Sequence, residues 1–489
     1  MRLPILSAIL GILAFLPVNF YPASFVWLTP LFIFFLKEKS FWRLIWGTFV
    51  FRLIFSLGTV YFTLEPILWI SSLLIFLGLP ILIWLIKKFT EFFHSSFIIH
   101  YSLFIALPFL WTIFDHLEAD YSLLPTSIMT AGNALGSSPF VGLAGLGGLI
   151  FLTFFAALIN ALIAFLIFPP EADLSQRLTS LWLAQNPLAE KTKPLNFKFL
   201  ALYSFFIIAL IFGAWRISEF QLQKNAAVYD NLENSLKIAV LSANEKLNAQ
   251  SFNEIQNKLI GGEKFDLIVF PENVLGKSFG IDFHQSLAKK LNTNFIAAFD
   301  IFRNGKKYDS SVLFNEKGEA IDVSDKNRLT FAGEYWPFGG WTPFYMKWLG
   351  KTNPNIQDYA VFDIQNSYSR GERKIMAMKY GNGDKKTVKF VSLICLEIHY
   401  PGDLKELKKE GAQFIINPTS NRWLDRGLKH FLYLTDNLRK IEAVWLKTPI
   451  ISSGVRDFAG IIRPDGKADL VNFESKNKNY GLFIGEIRY

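Results

Sequence analysis

The chain has 489 residues, 51% of them hydrophobic, with 50 Phe, 13 Trp and a formal net charge of +9. Such an apolar content excludes a string of ordinary soluble domains. The basic balance comes without a basic run interleaved with aromatics or a recognition-helix motif, which argues against nucleic acid as a partner. The single cysteine excludes an intrachain disulfide, so the reactivity of its thiol becomes the point of interest.

Apolar residues crowd the first part of the chain, before about residue 217. Met1–Leu16 has the look of a signal peptide, but Phe25–Leu36 follows at once without a small-residue cleavage site between them. We read two short spans joined at Pro17–Pro22, then Leu44–Phe62, Ile67–Ile86, Phe97–Ile113, Val141–Phe168 and Leu200–Trp215, about seven in all. With the N-terminus in the cytoplasm, the inside loops hold Lys37, Lys39, Arg43, Lys87, Lys88, Arg177, Lys191, Lys193 and Lys198. The outside loops hold Glu65, Asp115, Glu118 and Asp120 and no Lys or Arg, which is the positive-inside asymmetry. Arg52 alone falls inside a span, facing the bundle interior or snorkelling to its end. An odd number of spans divides the chain into a membrane domain at 1–217 and an extracytoplasmic domain at 218–489. The loop Glu171–Pro194 carries no chemistry, and His94, His100 and His116 read as interfacial polar residues without metal-ligand spacing.

From Leu236 the pattern turns to short strands and helices. Strands are predicted at Leu236–Leu241, Leu267–Phe270, Phe295–Phe299, Ser311–Phe314, Lys389–Ile394, Phe414–Ile416 and Ile450–Ser452. Helices are predicted at Phe252–Leu259, Asp282–Leu291, Asp403–Glu410 and His430–Trp445, and turns at Asn315–Gly318 and Arg463–Gly466. The alternation predicts an α/β or α+β sandwich.

Three segments place ionisable groups at strand ends. Asp266-Leu-Ile-Val-Phe-Pro-Glu-Asn273 runs a strand into Pro271, which stops the ladder just before Glu272. Ser324-Asp-Lys-Asn-Arg-Leu-Thr-Phe-Ala-Gly-Glu-Tyr-Trp-Pro337 sets Lys326 eight residues before Glu334. Val388–Pro401 delivers Cys395, then Leu396 and Glu397, at the end of an apolar run. Each has a plain reading: a cap neighbour for Glu272, a solvated charge for Lys326, a core thiol for Cys395. Together, in one domain, they suit a nucleophile with a base and a cation.

Those segments resemble the nitrilase (carbon–nitrogen hydrolase) superfamily, with its Glu, Lys and Cys triad. With the membrane half, the chain resembles the apolipoprotein N-acyltransferase family of bacterial inner-membrane enzymes. The motifs involved are Leu13–Pro22, the Pro271-Glu272 strand end, Tyr308–Phe314, Asp325-Lys326, Gly333-Glu334-Tyr335, Ile394–Glu397 and, more loosely, Asn417–Trp423.

The resemblance implies a polytopic α-helical membrane domain followed by a periplasmic nitrilase-like αββα sandwich. It implies transfer of a fatty acyl chain from a phospholipid to the N-terminal amine of a diacylated apolipoprotein through a Cys thioester. Glu272 would be the base, Cys395 the nucleophile, and Lys326 with the backbone near Leu396 the oxyanion donors. Glu334 and Glu397 would orient Lys326 and the amine, or act as structural ion pairs. No cofactor and no metal is expected, and a monomer is. Trp336, Trp341 and Trp348, in an aromatic stretch after Glu334, are expected either in a lipid-facing arm or in the core. Three features depart from the family. Its usual Gln- and Trp-containing segment is replaced by Leu241–Leu247, its usual aromatic after the nucleophile by Leu396, and no spanning helix follows Gly485–Tyr489. A membrane-tethered amidase with water as acceptor and a non-catalytic paralogue are the alternatives.

Overall fold

A computed structural model of the protein describes all residues except 61–71, 93–95, 123–125, 169–196, 277–278, 332, 337–366, 382–384, 425–426 and 473–478; at 91–92, 96–101 and 197–200 it describes the backbone alone. Glu65, His94, the loop 171–194, Trp341 and Trp348 therefore lie outside the described residues. The chain forms two compact units, Met1–Phe220 and Gln221–Tyr489.

The first unit is helical: α1 Arg2–Phe15, α2 Thr29–Lys37, α3 Phe41–Thr59, α4 Gly78–Phe92, α5 Ser96–Tyr121 and α6 Ala144–Ile167; α7, Phe197–Asp230, runs on into the second unit. Among the described residues, five helices are long and apolar enough to cross a membrane, and Arg2–Phe15 and Tyr21–Lys37 are shorter apolar helices. These helices are apolar on all faces, so polar side chains provide the specific ties. Asn160 of α6 accepts from the N–H groups of Leu28 and Thr29 at 2.8 and 3.0 Å and donates to Ser24 O at 2.8 Å, satisfying the start of α2.

The expected position of two acids changes. Asp115 and Glu118 are not in an outside loop; α5 continues through them to Tyr121 and both are buried. Glu118 pairs with the buried Arg52 of α3 and accepts from Ser72, and Asp115 accepts from Ala131 N–H at 2.8 Å. Because these partners satisfy the carboxylates, the helix does not need to end where charge begins. Arg52 thus faces the bundle interior.

The second unit follows the predicted alternation. Its elements are β1 Ser235–Ala243, α8 Ala249–Gly261, β2 Leu267–Val269, α9 Ile281–Leu291, β3 Asn294–Arg303, β4 Lys306–Phe314, β5 Ala320–Asp325, β6 Met376–Tyr380, β7 Lys386–Ser392, α10 Pro401–Lys409, β8 Phe414–Ser420, α11 Leu428–Leu446, β9 Ile450–Val455, β10 Ala459–Ile462, β11 Ala468–Val471 and β12 Tyr480–Arg488. The strand order is β5-β4-β3-β2-β1-β9-β8-β7-β6. β1-β2-β3 and β9-β8-β7 are parallel, while the β1–β9 ladder is a single pair, Ala243 with Val455. At that junction the sheet folds into two facing layers. Leu236, Ile238 and Val240 of β1 then meet Met376, Val388, Phe390, Phe414 and Ile416 in the middle. The alternate residues Ala239 and Leu241 face outward onto Ile255 and Leu259 of α8 and Leu287 and Leu291 of α9. Val391 and Ile415 likewise pack under α10 and α11. The result is an αββα sandwich whose inner parallel strands β2, β8 and β9 are buried on both faces, as parallel strands usually are. Both expected turns are found as hairpins, β4–β5 and β10–β11.

Phe390 is fully buried between the layers, its ring 4.9 Å from that of Phe414. Phe390→Ala should cost about 3–5 kcal/mol, read as a lower unfolding midpoint of the detergent-solubilised chain. An unchanged midpoint would show that the layers do not depend on this contact.

Candidate active site

The site lies where β2, β4, β5 and β7 end or pass. β2 stops because Pro271 has no N–H to donate. The chain stays tied to β3 through Phe270 N–H to Ile296 O at 3.0 Å and Asn273 N–H to Ala298 O at 2.8 Å. Asn273 takes a left-handed φ of 50°, which an Asn tolerates. Glu272, between these ties, is buried. Asp309 sits on β4, paired across the ladder with Asp300 of β3. Lys326 follows β5 directly, and its N–H donates to Asp309 O at 2.8 Å.

Lys326 has no exposure. Its Nζ pairs with Glu334 and lies 3.4 Å from Asp309 Oδ2. Burial works against the ammonium, but Glu334, Glu272 and Asp309 together hold its pKa well above the usual value, so it stays charged. Glu334 also accepts from Thr330 N–H at 2.7 Å. Carboxylate oxygens of Glu272, Asp309 and Glu334 lie within 4.8 Å of one another, a grouping that could hold a metal ion. The cation already among them is the Lys326 ammonium. Burial, followed by the effects of Lys326 and Glu334, leaves Glu272 pushed up to about 7.

Cys395 opens the tight turn Cys395–His399, three residues beyond the end of β7. Its φ is 53°, a left-handed conformation costing of order 1–3 kcal/mol for a residue other than Gly. Two braces oppose that strain. Asn417 of β8 donates to Leu393 O at 2.6 Å and Cys395 O at 3.1 Å, and its oxygen accepts from Arg439 of α11 at 2.8 Å. Arg439 is fully buried and pairs with Asp457 at 2.7 Å. On the other side Glu397 accepts from Ile394 and Asn327 N–H, both at 2.9 Å, from Arg328 N–H at 3.2 Å and from Arg373 at 3.1 Å. It therefore ties the Lys326 loop to the Cys395 turn. Burial first, and then Glu272, push the thiol pKa up, against Lys326 and the Ser420 N–H, which lower it. A proton acceptor is thus needed before sulfur can attack.

The structure brings Glu272, Lys326, Glu334 and Cys395 into one electrostatic cluster. Glu397 is spent on backbone donors and Arg373. Leu396 is buried beside the thiol. Trp336 is 1% exposed and packed on Phe331 at 5.5 Å, so of the two expectations for it the structure supplies core packing and not a lipid-facing position. A bulky indole without a path to water gains more from that pocket than from an interface. Asp309, Asn417, Arg439, Asp457 and Arg373 were not expected from the sequence. An acid in mid-strand at Asp309 and an arginine on the apolar face of α11 were the available signals.

Glu397→Ala would strand three backbone N–H groups and a guanidinium. We expect both activity and unfolding midpoint to fall, the latter by the equivalent of about 3–5 kcal/mol. Glu272→Gln should spare the midpoint. Equal midpoints for wild type and Glu397→Ala would remove the bracing role.

Residues 7–162 match the apolipoprotein N-acyltransferase N-terminal domain, and residues 221–437 match the carbon-nitrogen hydrolase family. Similar curated proteins include apolipoprotein N-acyltransferase 2 of Treponema denticola, 24% identical over 52% of this chain and 47% of that one. Another is the apolipoprotein N-acyltransferase of Chlorobaculum tepidum, 23% identical over 37% of each chain. The chain thus spans less than half the length of these relatives. Among solved structures, an amidase from Nesterenkonia sp. is similar at 12% identity with a TM-score of 0.36, covering 53% of this chain and 93% of that one. The chain thus joins an apolipoprotein N-acyltransferase N-terminal domain in its first half to a carbon–nitrogen hydrolase domain in its second, and is similar to curated apolipoprotein N-acyltransferases.

Proposed function

We propose that the chain transfers a fatty acyl group from a membrane phospholipid to the N-terminal amine of an S-diacylglyceryl-cysteine lipoprotein, through a thioester on Cys395. The observation that carries this reading is the convergence of a strained cysteine, a carboxyl group with a pKa near 7 and a buried ammonium. In the first half, Glu272 takes the Cys395 proton and sulfur attacks the ester carbonyl. The Lys326 ammonium and the Leu396 N–H receive the oxyanion, each donor being worth about 2.7–4 kcal/mol. The C–O bond then breaks, and the departing lysophospholipid alkoxide takes the proton back from Glu272. In the second half the acceptor amine attacks the thioester and loses a proton to Glu272. The C–S bond breaks, an amide is left, and the proton returns to the thiolate. Two half-reactions with one covalent intermediate give ping-pong kinetics.

Five helices fit for a bilayer support a membrane enzyme whose substrates are lipid-anchored. We place it in the bacterial inner membrane with the second unit on the periplasmic side. Lys39 between α2 and α3, with Lys37 at the end of α2 and Lys87 and Lys88 toward the end of α4, supports that orientation.

Incubating the purified chain with phospholipid vesicles should yield a hydroxylamine-labile fatty-acyl adduct by intact mass, absent from Cys395→Ser. No adduct on a folded, lipid-embedded wild type would overturn the acyl-donor reading. Adduct formation should also fall about tenfold per pH unit below a limb near 7, since Glu272 accepts a proton only when ionised. Glu272→Gln should lose about 10²–10⁴-fold above that limb and should no longer show the limb. A limb near 4.5, the ordinary carboxyl value, would exclude Glu272 as the base.

A further inference from the structure

Glu272 and Asp309 present an unusual contact: two buried carboxyl groups that face each other. Glu272 is 8% and Asp309 2% exposed. Among the described residues, Glu272 Oε2 and Asp309 Oδ1 each lack a hydrogen-bond partner, although oxygens of the two groups and of Glu334 lie within 4.8 Å. Two carboxylate oxygens can satisfy one another only if one carries a proton. The charge balance requires the same. Three carboxyl groups, Glu272 after β2, Asp309 on β4 and Glu334 after β5, surround one ammonium, Lys326. Cys395 adds a thiol and Asp300 on β3 a fourth acid. Asp300 has its own partners in Lys307 at 3.0 Å and Tyr368 at 2.8 Å. Leaving all three carboxylates ionised in a water-poor site would strand uncompensated charge.

We propose that Asp309 holds this proton and donates it in a hydrogen bond to the Glu272 carboxylate, which makes Asp309 a positioning residue that keeps Glu272 ionised and aimed for the thiol. The inference rests on the reading of Glu272 as the base. The geometry selects Asp309 over its neighbours. Glu334 has the closer contact with Lys326 and a backbone donor besides, so its oxygens already have partners. Lys326 Nζ reaches Asp309 only at 3.4 Å. Burial and then the neighbouring Glu272 raise Asp309 well above the ordinary carboxyl range, and its hydrogen bond lowers Glu272. A neutral donor is therefore required at this position, and a negative charge is not.

The test uses the full chain in detergent and reads Cys395, its only thiol, by the pH dependence of iodoacetamide alkylation. Asp309→Asn, which keeps a neutral donor, should hold the acid limb within about half a unit of wild type. Asp309→Leu should move the limb up by about one unit, roughly a tenfold slower reaction on the acid side. If the Leu variant does not fold, Asp309→Ala serves in its place. The proposal is overturned if both variants move the limb down, which would mark Asp309 as a charge that had been raising Glu272. It is overturned also if neither variant moves the limb, or if both move it up. The same limb read with phospholipid vesicles separates the two ideas. Alkylation behaving as expected without any acyl adduct would retain Asp309's role and defeat the acyl-donor reading.

Discussion

An ammonium with no access to water must be surrounded by acids, and the acids must then be kept from repelling one another. Lys326 sets that constraint here. Moving it inside costs several kcal/mol unless the geometry around it is good. Glu334 and Asp309 supply the contacts, and Glu272 completes the ring. The acids arrive from separate segments, after β2, within β4 and after β5, so the sandwich must be assembled before the lysine is compensated. The same crowding gives Glu272 its raised pKa. An isolated carboxylate in water would be a weak base for a thiol, whereas one beside other acids and away from solvent is matched to the task. Compensation of the lysine and the raised pKa of the proposed base are thus one arrangement.

The proposed nucleophile depends on rigidity of another kind. Cys395 occupies a backbone conformation that its Cβ disfavours. Asn417, held by Arg439 and Asp457, grips the carbonyls on either side. Glu397 fixes the turn from the other side and ties it to the loop that carries Lys326. Arg373 and Arg328 extend this tie to Asp403 on α10. Neither brace need touch the substrate. Each converts a fluctuating turn into a fixed distance between sulfur and ammonium, and positioning of that kind supplies much of a catalytic advantage.

Much of the sandwich could be read from the chain because its strands are short, apolar and punctuated. Val388–Ile394 and Phe414–Ile416 are apolar enough to declare themselves, and the helices on α8 to α11 keep clear amphipathic spacing. β5, β6 and β10 to β12 were not expected. β6 alternates apolar and polar over only five residues, and β12 carries Gly485 and Glu486, so local pattern there is weak and pairing decides. Glu272, Lys326 and Cys395 could be picked out as candidates because Pro271, the lone cysteine and the Lys-to-Glu spacing mark their segments. Asp309 lay just before the predicted strand Ser311–Phe314 and Arg439 within the predicted helix His430–Trp445; no role was read for either, because a charged residue there usually faces water and only the fold turns it inward. Asp115 and Glu118 misled for the same reason: sequence shows the charge but not its partner.

The pairing of β1 with β12 bears on how the domain is made. Nine residues of β1 pair in antiparallel register with nine residues of β12, from Ser235–Arg488 to Ala243–Tyr480. The first strand to leave a ribosome thus finds one of its neighbours only after nearly all the other strands have been synthesised. Until then one edge of β1 displays open N–H and C=O groups beside an apolar face, a form of exposure that invites pairing with other chains. Contacts so far apart in sequence also fold slowly. During synthesis, the second unit is thus most vulnerable to aggregation in the interval before its last strand docks.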